Sequence, residues 1–422
     1  MAAGAPRITS EYLASGTEGC IVGPALPNLS ENGSTWEEYP DNVTKLYKNR
    51  DKYNKAQTNT RKIVDLLHNN SHRVYPYRYK GYMGLNISKT MRKSCELNRN
   101  MPLLPLRMKN LGVSIADLSE NRDGSLNKTK TVSFGVIIDS IYRIYKQFDT
   151  LFSNGYIHGD VRQTNVMIHP GTGKITLIDF GWLYPIDTFF MEYNDALGFY
   201  SNPPESLLYS FMVDRQYSPK YKYLSYILDP RITEGTIRRT IRTDFVKGDT
   251  IPVNNKIEAY QYFSKGAGNK IEDAELQAAL TNAALYFKGN ISVADPRDYN
   301  SEFHQYCRMM APSFDLYGLS FTIHLLIRSV YNDLSTITKN GTPYTEEERV
   351  LIRTTIEELV RDVIRPGMAL DISTRIPIRE ACRRLEPIMT SYHDRLNGMT
   401  GGRRGKTHKR RRGGRKTLRR SK

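Results

Sequence analysis

Ile157-His158-Gly159-Asp160-Val161-Arg162-Gln163-Thr164-Asn165-Val166-Met167-Ile168, continued after a short gap by Leu177-Ile178-Asp179-Phe180-Gly181, is the stretch on which the reading of this chain turns. Two β-like runs, VMIH and KITLI, flank the turn Pro170-Gly171-Thr172-Gly173, so the segment reads as loop, hairpin, loop. Such a hairpin is expected to bring Asp179 back beside Asn165.

The groups on these loops suit phosphoryl transfer, which needs a carboxylate near an attacking hydroxyl, oxygen ligands for Mg²⁺ and positive charge around phosphates. Asp160 can accept a proton, Asn165 and Asp179 are hard oxygen donors, and Arg162 can neutralise charge on a transferring group. The segment resembles the protein-kinase superfamily, whose catalytic loop reads His-Arg-Asp-x-x-x-x-Asn and whose metal loop reads Asp-Phe-Gly. His158, Asp160, Asn165, Asp179, Phe180 and Gly181 carry the match. Six such letters coincide by chance in a chain of this length with a probability on the order of 10⁻⁵. The resemblance implies Asp160 and Arg162 as catalytic residues, Asn165 and Asp179 as metal ligands, and ATP with Mg²⁺ as cofactors.

Weaker matches follow in the family's order. Asn202-Pro203-Pro204-Glu205 resembles the Ala-Pro-Glu signature, and Asp315 in DLYGLS resembles the aspartate that braces the catalytic loop. Arg375 resembles the late arginine that pairs with that glutamate, here Glu205. Toward the N-terminus, Gly16-Thr17-Glu18-Gly19-Cys20-Ile21-Val22 resembles part of a glycine-rich loop, where missing side chains let backbone N–H groups approach phosphates. Lys45 resembles the β3 lysine of the family, and residues 106–114 resemble its hinge. The implied nucleotide site is Gly16, Gly19, Val22, Lys45, Met108 and Leu111. Two departures stand out. The helical stretch 55–67 contains no glutamate to pair with Lys45, leaving Asp51, Gln57 or Thr60 as substitutes, and Gly159 replaces the arginine that clasps a phosphorylated activation loop.

The expected fold is α+β, a two-lobed protein-kinase-like architecture with a small β-rich N-lobe (1–110) and a larger helical C-lobe (111–398). Strands are expected in CIVG, NVTKLY, YPYRYKGYM and LLPLRM, with a helix at 55–67. Helical spacing marks 132–152, and 272–287, 316–331 and 346–364 are further helix candidates. A long insertion (206–311) carries no assigned chemistry. A basic tail (399–422), too poor in large apolar residues to offset its ordering entropy, is expected to be disordered.

Net charge is +17, but 401–422 holds twelve Lys/Arg and no acid, leaving +5 on the rest. The tail suits nucleic acid or an acidic partner, and the absence of interleaved aromatics argues against base stacking. Cys20, Cys95, Cys307 and Cys382 are widely spaced, fit neither a disulfide framework nor a metal site, and suggest a reducing, intracellular setting, in cytoplasm or nucleus. No apolar leader opens the chain, and the run 314–327 is broken by Asp315, Ser320 and His324, so no membrane association is expected. The glycine loop and basic tail are most similar to kinases encoded by large DNA viruses, which would place the protein in a host cell or virion. A Ser/Thr-type protein kinase acting on a protein substrate is the leading expectation; a small-molecule kinase and a pseudokinase scaffold are its rivals.

Overall fold

The computed structural model describes residues 10–16, 19–29, 36–68, 74–76, 89–97, 104–116, 133–169, 172–188, 228–247, 273–292, 300–339 and 341–409. It is a mixed α+β structure, mostly helical, with small antiparallel sheets. Two compact units divide the chain, one of residues 1–112 with 178–184, the other of 113–177 with 185–422.

The first unit is built on a five-stranded sheet. Its strands are β1 (Glu11–Gly16), β2 (Gly19–Gly23), β5 (Asn42–Tyr47), β6 (Val74–Pro76) and β7 (Leu104–Lys109), in the order β1-β2-β5-β7-β6. The stretches CIVG, NVTKLY and, from Leu104, LLPLRM thus form strands where short apolar runs between turn residues suggested them, while most of YPYRYKGYM lies outside the described residues. The segment between β2 and β5 forms a hairpin of its own, β3 (Ala25–Leu29) with β4 (Trp36–Tyr39). Thr44 Oγ1 on β5 accepts from the Leu26 N–H at 2.9 Å and ties this hairpin to the sheet.

Helix α1 (Arg50–Leu67) starts where the Asn49 side chain accepts from the N–H groups of Asp51 and Lys52, satisfying two of the donors that a helix start leaves open. It turns Ala56, Asn59, Thr60 and Ile63 inward. On one sheet face Cys20, Val22, Leu26 and Leu46 pack with Met91, Cys95 and Leu97, around helix α2 (Lys89–Ser94). On the other, Tyr47, Leu104 and Leu106 pack on Ala56 and Tyr53 of α1.

Cys20 and Cys95 are joined by a disulfide across 75 residues, and both are buried. This corrects the expectation that the cysteines fit no disulfide framework and mark a reducing setting. The two cysteines are far apart in sequence, but the α2 segment folds back on β2 and brings their Cα atoms to 5.3 Å, within bridging range.

The second unit is helical around a small sheet. Its main helices are α3 (Phe134–Ser153), α4 (Glu234–Lys247), α5 (Asp273–Asn290), α6 (Asn300–Asn332), α7 (Glu346–Leu359) and α8 (Ile378–Lys409). A π-helical turn, Val360–Ile364, follows α7. The sheet is β11 (Ile175–Leu177), β10 (Val166–Ile168) and β8 (Val113–Ser114), with β10 central.

Helix α6 begins well before the expected residue 316, because Tyr306, Met310 and Ala311 already belong to the core. Most of its residues from Met310 to Val330 are buried, so it packs on several sides. Helix α8 runs through the boundary expected at 399, since extending an existing helix costs far less than starting one. Residues 189–227 and 410–422 lie outside the described residues. Among the described residues no helix is long and apolar enough to cross a membrane.

Candidate functional site

In the second unit the loop from His158 to Asn165 is held from behind by a carboxylate. Asp315 on α6 accepts from the backbone N–H of His158 at 2.6 Å and of Gly159 at 3.0 Å. Gly159 sits at φ +77°, in the left-handed region that favours glycine. An arginine there would be strained. Burial pushes the Asp315 carboxyl up to about 7, against the pull of its two N–H donors, and the nearby Asp160 charge pushes the same way.

The His158 imidazole is fully buried near Phe148, and its Nδ1 accepts from the Asp160 N–H at 3.2 Å. Asp160 is 7% exposed. Its Oδ2 accepts from Asn165 Nδ2 at 2.8 Å, and its carbonyl accepts from the same nitrogen at 2.9 Å. Asn165 Oδ1 makes no hydrogen bond among the described residues, so the amide is turned with its hard oxygen left over. Arg162 Nε lies 3.2 Å from Asp160 Oδ1 but is not aligned to donate, so the contact is coulombic. Val166 pairs with Leu177, which sets Asn165 immediately before one strand of the hairpin and Asp179 two residues beyond the other.

In the first unit Lys45 Nζ lies 3.3 Å from Asp179 Oδ2 and 3.4 Å from Oδ1, with the Tyr47 ring 4.8 Å away. Asp179 itself is left-handed, at φ 63° and ψ 64°. The glycine-rich segment is the tip of the β1–β2 hairpin, where Gly16 pairs with Gly19; Thr17 and Glu18 lie outside the described residues. A Cβ on Gly19 would stand 2.0 Å from the Leu46 carbonyl oxygen. Close approach of β2 to β5 therefore requires this glycine whatever the loop binds.

Strand register separates the expected pocket residues. Ile21 pairs with Lys45, Lys45 with Leu106, and Val43 with Met108. Successive side chains alternate faces, so Ile21, Val43, Leu106 and Met108 share the face of Lys45. Val22 points the other way, fully buried with Cys20 and Leu46. Ile21, half-buried, is the β2 residue beside Lys45, and the pairing that identifies it is invisible without the fold. Leu111, also half-buried, follows β7.

None of the three proposed substitutes for the missing glutamate meets Lys45 as such a partner. Asp51 is exposed, Gln57 bonds Tyr53, and Thr60 is buried on α1. The α1 residue that reaches the segment after Asp179 is Asn59, which the sequence reading passed over. It donates to the Phe180 carbonyl at 2.9 Å and to that of Gly181 at 3.4 Å.

Arg375 is 8% exposed; its Nη2 and Nε donate to the Ala369 carbonyl at 2.7 and 3.0 Å, and Nη1 donates to Ser313 Oγ. Its expected partner Glu205, with the rest of 202–205, lies outside the described residues.

No family model matches the chain. Over 131 residues, 29% of its length, the chain is 26% identical to an uncharacterized protein of Acanthamoeba polyphaga mimivirus. The chain spans only 16% of that protein's length.

Proposed function

We propose that the chain is an ATP- and Mg²⁺-dependent phosphotransferase of the protein-kinase kind, transferring the γ-phosphoryl group to a Ser or Thr hydroxyl of a protein. The observation that carries this reading is the braced loop: Asp315 fixes the backbone of His158 and Gly159, and Asn165 fixes the Asp160 carboxylate. A general base must be held in one orientation to meet an incoming hydroxyl, and this loop is held at both its backbone and its side chain.

In this reading Asn165 and Asp179 would each offer a magnesium ion an oxygen. Asn165 leaves its amide oxygen over, and Asp179 adds a carboxylate. Mg²⁺ is usually held by few protein oxygens, the rest of its shell being phosphate and water. When bound, the ion supplies neutralising charge for the phosphates. In this reading Asp160 accepts the hydroxyl proton, Arg162 and Lys45 meet the phosphates, and Ile21, Val43 and Met108 face the base. Met108 and Leu111 lead into the hinge. The Lys45–Asp179 ion pair supports the same assignment, because it holds a phosphate-binding cation beside a metal-binding anion.

Protein rather than a small molecule is favoured as acceptor by Arg162, by the intact Asp179-Phe180-Gly181, and by the Pro203-Pro204-Glu205 signature together with Arg375. The basic tail belongs to the proposal as a site for acidic partners or nucleic acid. The similarity to a mimivirus protein agrees with a viral origin and a host-cell or virion setting.

Radiolabelled phosphate transfer from ATP, with Mg²⁺, to the protein itself and to generic Ser/Thr substrates tests the proposal. Transfer that vanishes in both Asp160→Ala and Asp179→Ala is expected. ATP binding without transfer to any protein would overturn the protein-kinase assignment.

A further inference from the structure

The Asp-Phe-Gly segment needs support that α1 cannot give through an acid. The acids of α1 are Asp51 and Asp65, one near each end and both exposed. Lys55, on the inward side, lies 4.2 Å from the Tyr184 ring. What α1 does offer is the 8% exposed amide of Asn59, one NH₂ group shared between two successive carbonyls, Phe180 at 2.9 Å and Gly181 at 3.4 Å.

These carbonyls directly follow Asp179, whose left-handed backbone is unfavourable for an L-residue and persists only where its surroundings hold it. Lys45 meets the Asp179 carboxylate, so the residue is held through its side chain as well as through the backbone that follows it.

We infer that Asn59 is a positioning residue for the metal site, fixing the Asp179 carboxylate by anchoring the Phe180 and Gly181 carbonyls. The inference rests on the phosphotransferase reading above. It replaces the absent helix glutamate by a different device: a neutral amide holds the metal loop, where an anion on the helix would hold the lysine. Groups that orient a metal ligand from behind typically change metal affinity about 10- to 100-fold when removed.

The test measures Mn²⁺ binding in the presence of ADP, by electron paramagnetic resonance, on full-length wild type, Asn59→Ala and Asn59→Asp. ADP binding in EDTA and the thermal midpoint are recorded for each. Asn59→Asp turns a donor into an acceptor facing two carbonyl oxygens, and Asn59→Ala removes the donor; Asn59→Ser is the smaller change, kept in case either fails to fold. Weaker Mn²⁺ binding by about 10-fold or more, with metal-free ADP binding within about twofold of wild type, is expected. Kinetically, the Mg²⁺ concentration for half-maximal transfer rises by the same factor, which a mere loss of folded protein would not produce. Unchanged Mn²⁺ affinity in folded variants overturns the inference while leaving the phosphotransferase reading standing. Failure of wild type itself to take up Mn²⁺ with ADP overturns both.

Discussion

Replacing Asp315 by alanine tests whether the His158–Asn165 loop is held as described. The carboxylate accepts two backbone hydrogen bonds, at 2.6 and 3.0 Å, in a site 6% exposed. Alanine leaves two buried N–H groups without an acceptor, at about 1–3 kcal/mol each, so the loss is about 2–6 kcal/mol before any relaxation.

That loss depends on pH. Burial lifts the carboxyl from 3.8 to about 7 in the folded protein. A raised carboxyl contributes stability that is fully present below 3.8 and fades as pH rises through about 7; the whole span corresponds to about 4 kcal/mol. The cost of Asp315→Ala is therefore greatest below pH 3.8, still larger at pH 5 than at pH 8, while Asp315→Asn, which cannot ionise, flattens the wild-type pH dependence across this window. Urea unfolding at pH 5 and pH 8, with hydrogen exchange of peptides spanning 156–168, reads both the global and the local effect. A cost that grows with pH would refute the reasoning, because it would mean that the N–H donors outweigh burial and the site prefers the anion.

Gly19→Ala should cost several kcal/mol or prevent folding of the first unit, since its Cβ meets the Leu46 carbonyl oxygen at 2.0 Å; a midpoint within about a degree of wild type in a thermal melt would contradict the β2–β5 packing. Non-reducing peptide mapping should recover Cys20 linked to Cys95. Reduction, or Cys20→Ser, should lower the stability of this unit by about 4 kcal/mol through the long loop it reopens, and an unchanged denaturation midpoint under reducing conditions would count against the bond. Burial, then the charges of Arg328 and Arg365, lowers His324 to about 4 from an ordinary 6.5. Its contribution is present above 6.5 and is lost as pH falls through about 4, by at most about 3 kcal/mol, so His324→Gln should show a smaller acid loss of thermal stability than wild type over that range.

Local chemistry was legible along the chain. A short apolar stretch between turn residues located NVTKLY as a strand to the residue, and 3.6-residue spacing located helix α3 within two residues at each end, because both signals depend on near neighbours alone. The His158–Asn165 loop and the hairpin after it were readable for the same reason, since turn residues and a short register settle such a segment locally. The brace from Asp315 was also anticipated, through resemblance of order, across 157 residues.

Relations between distant elements were decided only by the tertiary structure. Whether Ile21 or Val22 stands beside Lys45 depends on which residues of β2 and β5 face each other, and a shift of one residue exchanges the two faces. Cys20 and Cys95 meet because α2 packs back on β2, a contact that no spacing rule encodes. Asn59 is an unremarkable polar residue in a helical run until α1 docks against the segment after Asp179. Sequence periodicity specifies which side of an element is buried; what that side meets is set by packing among parts of the chain that carry no local record of one another.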